Sequence, residues 1–247
     1  MAVLKSKPVC PNLRSNFERM MVFAPHPDDE TLACGGTIAM SVRQGKDVYI
    51  VVMTDGRNSH RILLSIEKDP APHELIRIRR KESKLAAQIL GVRRDHLIFL
   101  NFEDGSLASH CREGKILVLK YLLKILPSEI FMPDKSDTNP DHYSTSLIVS
   151  DAVRESKLSP SIYSYVVWTN NGLHMGEASN EIEFDISDFL EIKRSAIEVY
   201  KSQVTKLFKS QTRPVLRRSM LARFLLPVER FKIISGLQSG SDSFAKC

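Results

Sequence analysis

Met20-Met21-Val22-Phe23-Ala24-Pro25-His26-Pro27-Asp28-Asp29-Glu30 is the stretch on which the reading of this chain turns. Its first five residues form an unbroken apolar run, short and sharply bounded, as expected of a strand buried on both faces of a sheet. The run stops at Pro25, and the next five residues bring one imidazole and three carboxyl groups. Thr31, Leu32, Ala33 and the pair Gly35-Gly36 follow at once, so the spacing predicts a helix from Glu30 to Gln44, closed by Gly45 as a C′ glycine. Strand, acid-rich loop, helix is the order that sets side chains at the carboxyl edge of an α/β sheet, where such folds bind ligands.

The same alternation continues downstream. Val48 to Met53 is a second apolar run ending in Thr54-Asp55-Gly56, and a polar stretch from Arg57 to Pro72 reads as a long loop bordering the site. Leu75, Ile78, Leu85, Ile89 and Leu90 recur at helical spacing within a helix from Glu74 to Leu90, which Gly91 stops. Leu97 to Leu100 is a third strand, Lys115 to Leu126 a helix ended by Pro127, and Ile130 to Met132 a fourth strand cut off by Pro133. A further helix is expected from Ser144 to Arg154. Four β–α units in succession imply an α/β fold: a mainly parallel open sheet, Rossmann-like, with helices on both faces.

Composition narrows the classes. With 43% hydrophobic and 26% charged residues, 247 residues suffice for one sizeable core. No apolar run approaches the roughly 20 residues of a membrane span. Residues 1–19 are polar and interrupted by Pro8 and Pro11, unlike a signal peptide, and read as an N-terminal extension. Cys10, Cys34, Cys111 and Cys247 lie far apart, which suits reduced thiols in a cytoplasmic protein better than a disulfide frame. The charge is uneven: residues 201–234 hold nine lysines and arginines against one acid, Glu229, a surplus larger than the +6 of the whole chain. Lys206, Lys209, Arg213, Arg217, Arg218 and Arg223 alternate there with apolar residues such as Leu207, Phe208, Leu216 and Phe224. As an amphipathic helix this segment would suit an anionic membrane or an acidic glycan. The favoured reading packs its apolar side on the domain and turns its charges to water. Nucleic acid is not expected, because no recognised module or basic–aromatic platform is present. The division is therefore 1–19, a core at 20–205, and a basic segment at 206–247.

A second chemical cluster, Pro133-Asp134-Lys135-Ser136-Asp137-Thr138-Asn139-Pro140-Asp141-His142-Tyr143, follows the fourth strand, again on its carboxyl side. Loops one and four can thus converge, giving His26, Asp29 and His142 as two imidazoles and a carboxylate with open positions for water and substrate. Asp28, adjacent but turned differently, can take a proton from that water. His26-x-Asp28 with His142 also fits the facial triad of non-haem iron oxygenases, although those usually occupy all-β scaffolds. His60, His73, His96, His110 and His174 lack ligand spacing and read as surface or satisfied histidines; Arg77 reads as a solvated helix face. Trp168 to Gly172 is a candidate substrate rim.

Ala24-Pro25-His26-Pro27-Asp28-Asp29-Glu30-Thr31-Leu32 with Cys34-Gly35-Gly36-Thr37 resembles the signature of the LmbE-like (PIG-L) deacetylases. The resemblance continues through Thr54-Asp55-Gly56, Arg79-Arg80-Lys81-Glu82, Phe102 to Leu107, Asp137 to His142, and Lys193 to Gln203, covering about residues 20 to 205 in family order. It implies an LmbE-type fold and zinc-dependent hydrolysis of the N-acetyl group of an N-acetylglucosamine-containing compound: a glycolipid, a polysaccharide precursor or a glycosylated metabolite. Carried over by position, His26, Asp29 and His142 match the zinc ligands, Asp28 the general base, and Arg79 and Asp104 the sugar contacts. The implied reaction is attack of a zinc-activated water on the acetamide carbonyl, with a proton delivered to the departing amine. A homo-oligomer is compatible with this reading.

One position departs from the family. Its second motif usually opens with His, and this chain has Asn139-Pro140-Asp141-His142. Asn139 can donate a hydrogen bond to an oxyanion but can neither carry positive charge nor give up a proton at neutral pH. The alternative to an enzyme is therefore a catalytically weakened relative that binds a sugar or partner.

Overall fold

The computed structural model describes residues 18–169 and 180–235. The order is β1 (Arg19–Ala24), α1 (Asp29–Arg43), β2 (Asp47–Thr54), α2 (Ser59–Leu64), α3 (Pro72–Ile89), β3 (Leu97–Phe102), α4 (Cys111–Ile125), β4 (Glu129–Pro133) and α5 (Pro140–Ser156). Then come β5 (Ser161–Tyr165), β6 (Glu181–Asp185), α6 (Leu190–Glu198), α7 (Lys201–Val204), α8 (Arg218–Phe224) and β7 (Val228–Ile233). The sheet order is β3-β2-β1-β4-β5-β7-β6. β1 to β5 pair in parallel, and β7 runs antiparallel to both β5 and β6. The mainly parallel α/β sheet expected from sequence is present.

The continuous apolar strands are explained by burial on both sides. Met20, Val22 and Ala24 join Val48, Ile50 and Val52 on the face covered by α1, α3 and α6. Met21 and Phe23 join Val51 and Met53 on the opposite face, under α4 and α5. Residues alternate between faces along a strand, so a strand with helices on both sides has no polar position. Met20 to Phe23 are fully buried, and each such side chain contributes about 1.5–3 kcal/mol. Strand order reverses between β1 and β4, whose residues Val22 and Phe131 are in register. The loops leaving these two strands therefore splay around one crevice, the topological switch point of an open α/β sheet.

Four sequence expectations need correction. Residues 57–72 are not one long loop: α2 lies within them, and α3 begins at Pro72 with the Glu74 carboxylate accepting from the Ala71 amide at 3.1 Å. Six residues are too few for a helical period to show in sequence. Within α2, His60 is buried rather than on the surface, and only half satisfied: its Nδ1 lies 3.3 Å from Ser59 Oγ, it sits edge-on to Phe208, and its Nε2 has no hydrogen-bond partner. Next, α5 starts at Pro140 rather than Ser144, because Asn139 Oδ1 accepts from the Asp141 amide at 2.9 Å and Pro140 takes the first helical position. Finally, the basic segment is not one amphipathic helix. Among its described residues it holds only the short α8 and then enters the sheet as β7, with Val215, Leu216, Phe224 and Phe231 buried against the domain. Among the described residues, no helix is long and apolar enough to cross a membrane.

Candidate metal centre and active site

β1 ends at Ala24, and its loop carries His26 and Asp28 to the start of α1, of which Asp29 is the first residue. His142 comes from the first turn of α5, after β4. One ligand atom from each of His26, Asp29 and His142 lies within 4.8 Å of the others, and all three residues are buried. The sequence-derived triad is thus brought together.

Neighbouring acids fix how each imidazole points. Asp137 Oδ2 lies 3.0 Å from His142 Nδ1 and also accepts from the amides of Val167 and Trp168 at 2.8 and 3.1 Å. This leaves His142 Nε2 turned to Asp29, 3.1 Å from its Oδ2 in ion-pair range but outside hydrogen-bond geometry. His26 presents Nδ1 to Asp29 Oδ2 at 3.2 Å and Nε2 to Asp104 Oδ1 and Asp141 Oδ2 at 3.1 and 3.3 Å. His26, Asp104 and Asp141 form a second cluster of metal-ligand types, but their oxygens are already engaged. Asp141 accepts from the amides of Gly105 and Leu107, and Asp104 from that of Asn58. That cluster orients His26; a buried nitrogen without hydrogen-bond geometry to any partner, His142 Nε2, belongs only to the first. Two imidazoles and a carboxylate with acids behind the imidazoles suit a divalent metal with open positions.

The charges follow this arrangement. Burial pulls both imidazoles down, but carboxylates outweigh it: Asp104, Asp141 and Asp29 hold His26 well above its ordinary value, and Asp29 and Asp137 raise His142 to about 9. Burial works against the Asp29 carboxylate, yet His142 and His26 keep it well below the usual range.

Asp28 is held differently. Its backbone adopts φ +124°, ψ −24°, a region costing L residues on the order of 1–3 kcal/mol and concentrated at functional sites. Its carbonyl accepts from the Thr31 and Leu32 amides at 3.0 and 2.9 Å, and its amide donates to Glu30 Oε2 at 3.2 Å. Arg79, buried on α3, places Nη2 2.9 Å from Asp28 Oδ1 and also donates to the carbonyls of Pro27 and Gly56. Gly56 has φ +68°, and a Cβ there would sit 2.5 Å from the guanidinium, so the close approach requires glycine. Burial pushes the Asp28 carboxyl up to about 8 despite Arg79. Glu30 anchors the loop from below, accepting from Tyr200 Oη at 2.7 Å.

Asp28, Asp29, His26, Arg79, Asp104 and Asn139 all line one cleft. Asn139 Oδ1 is committed to capping α5, so only its amide group is free to face a ligand. Arg79 and Asp104 are more tightly engaged within the protein than free sugar contacts would be. Trp168 also lines the cleft; residues 170–172 and His174 lie outside the described residues. Sequence reading missed the roles of Asp137 and Asp141. The signal was present: Asp137, Asp141 and His142 fall within six residues, and acids that share a turn with a ligand histidine commonly orient imidazoles. It also missed Tyr200 beneath Glu30, because nothing local marks a contact 170 residues away.

Comparison with known proteins places the chain among related sequences and folds. The family model described as PIG-L: GlcNAc-PI de-N-acetylase matches residues 21–153, more than half of the chain. The chain is 28% identical over 214 residues to a diacetylchitobiose deacetylase of Thermococcus kodakarensis, covering 82% of this chain and 76% of that one. It is 26% identical over 219 residues to a probable N-acetyl-alpha-D-glucosaminyl L-malate deacetylase 2 of Bacillus cereus, covering 86% and 96% respectively. Among solved structures, the inhibitor complex of N,N'-diacetylchitobiose deacetylase from Pyrococcus horikoshii superposes with a TM-score of 0.69 at 26% identity, covering 92% of this chain and 87% of that one.

Proposed function

The chain belongs to the PIG-L family, and from that premise we propose that it is a metal-dependent hydrolase removing the N-acetyl group from an N-acetylglucosamine-type amino sugar. The observation that carries this reading is the convergence of His142 Nε2, whose ring Asp137 orients, with His26 and Asp29 at one buried point. His26, Asp29 and His142 would hold the metal, with zinc favoured by the imidazole–carboxylate set. A divalent metal there supplies Lewis acidity toward the acetamide carbonyl and lowers the pKa of water.

Asp28 acts as the base. Its carboxyl sits near neutrality, where a group can both take and return a proton. It accepts the proton of the attacking water as the carbon–oxygen bond forms. It then delivers that proton to the sugar nitrogen as the carbon–nitrogen bond breaks, leaving acetate and a free amine. Arg79 holds the base in its strained backbone position and keeps one carboxylate oxygen occupied. Asn139, its oxygen held by the α5 cap, offers amide N–H to the developing oxyanion. A neutral donor is worth roughly half a charged one, so turnover should be slower than with His at this position. The second reading, a binding protein on this scaffold, rests on that same residue.

Acetate release from a panel of N-acetylglucosamine conjugates, with Asp28→Ala and Asn139→His alongside, tests the proposal. Release that disappears in Asp28→Ala supports the enzyme reading, and Asn139→His should then be faster. A silent wild type with activity gained in Asn139→His would favour the binding reading.

A further inference from the structure

A second cavity lies between α1, α8 and the strands β5 and β7, and it shares no lining residue with the cleft that holds His26 and Asp29. Leu32, Val166, Phe224, Leu226 and Val228 give it apolar walls, with Leu226 still 38% exposed. Lys193, Arg223, Glu229 and Arg230 bring three cations and one acid to the same space.

These charges do not close among themselves. Lys193 Nζ lies 2.7 Å from Glu229 Oε1, and the two Glu229 oxygens also accept from the amides of Gly36 and Thr37. Arg230 Nε donates to Glu183 Oε1 at 2.6 Å, and Tyr165 Oη to the Phe23 carbonyl at 2.6 Å. Arg223 is left over: its Nε and Nη2 are buried, and among the described residues neither has a partner. An arginine in the last turn of a helix ordinarily bonds the terminal carbonyls or reaches out to water. Arg223 stands in the last turn of α8, and these two nitrogens do neither.

Nε and Nη2 form the edge of a guanidinium that grips a carboxylate side-on through two parallel hydrogen bonds. Burying that edge unbonded is unfavourable, and such a group in a native fold calls for a partner. The uncompensated charge is a single one, which matches a carboxylate better than a phosphate dianion. The mainly aliphatic walls offer little to a hydroxylated ligand and favour a hydrocarbon chain. We propose that this cavity binds an aliphatic monocarboxylate, its head on Arg223 and its chain along Leu32, Val166, Phe224 and Val228. Because the two donors are covered in the free chain, the head enters by a shift of α8, a helix of seven residues in which only Phe224 is buried. The site stands apart from the deacetylase reading and does not depend on it.

The test is calorimetric titration of the full chain, supplemented with zinc, with acetate, butyrate, hexanoate, hexanol and inorganic phosphate. Running it on His142→Ala beside the wild type separates this cavity from any carboxylate held at the metal centre. One hexanoate per chain should bind to both, about tenfold or more tighter than acetate and tighter than hexanol or phosphate. Arg223→Lys, which keeps the charge but not the paired donors, should weaken hexanoate about tenfold. Arg223→Met should abolish its binding and, without ligand, melt no lower than the wild type, since it removes an unpaired buried charge. Hexanoate that binds only when His142 is present, or as tightly to Arg223→Met as to the wild type, would overturn the site. Tighter binding of phosphate than of hexanoate would overturn it as well, and so would a lower melting midpoint in Arg223→Met, which would make Arg223 structural.

Discussion

Helix α1 carries buried charge in two places, and the two are organised in opposite ways. Beside its middle, Lys193 Nζ meets Glu229 Oε1 at 2.7 Å, while the two Glu229 oxygens accept from the amides of Gly36 and Thr37 at 2.8 Å each. Lys193 also lies where a side chain on Gly35 would stand. There, every oxygen has a partner. At the N-terminal end, His26, Asp29 and His142 converge, yet His142 Nε2 meets only Asp29 Oδ2, at 3.1 Å and outside hydrogen-bond geometry, and Asp28 sits in a strained backbone. Burial of charge does not distinguish a working site from a structural one. What distinguishes them is whether the buried groups are satisfied by each other or left for something else.

Substitutions on the two sides should therefore diverge. Asp28→Asn should reduce acetate release by roughly 10²–10⁴-fold, the largest effect expected, and because the amide oxygen can still accept from Arg79, circular dichroism melts should show a midpoint close to that of the wild type. A clear loss of stability would make Asp28 structural. Glu229→Ala should behave in the converse manner, costing about 3–5 kcal/mol in denaturant unfolding by leaving Lys193 buried and unpaired. Its metal content should stay intact wherever it remains folded. Asp141→Asn should weaken metal binding about 10–100-fold, read by competition with a chelator, since it removes the carboxylate behind His26 without touching the ligand set.

The smallest effect concerns His60, whose imidazole burial, aided by Arg79, lowers to about 4 from an ordinary 6.5. The unfolded chain takes up a proton there before the folded one does. Its stabilising contribution is thus complete above pH 6.5 and is lost as the pH falls toward 4, a change of about 1–2 kcal/mol. Urea unfolding across that window should be less pH-dependent in His60→Phe than in the wild type.

The legibility of these regions in sequence follows the same division. β1 to β4 could be read because strands buried on both faces are unbroken apolar runs, and the convergence of His26, Asp29 and His142 because both loops leave carboxyl ends of strands. β5 to β7 could not. Ser161–Tyr165 mixes serine with aromatics, and Glu181–Asp185 and Val228–Ile233 alternate polar with apolar residues, the last within a basic stretch. The Lys193–Glu229 pair joins α6 to β7 and leaves no local mark. Asn139 and Pro140 did carry a helix-start signal, but the same residues belonged to the chemical cluster, and that reading displaced it.

Metal content and acetate release measured on the same preparation bear most directly on the claim that the unsatisfied cluster is a catalytic metal centre. The account requires one divalent ion per chain, acetate release that a chelator abolishes and added zinc restores, and loss of both ion and activity in His142→Ala. Acetate release that survives chelation, or an ion bound as tightly in His142→Ala as in the wild type, would contradict it.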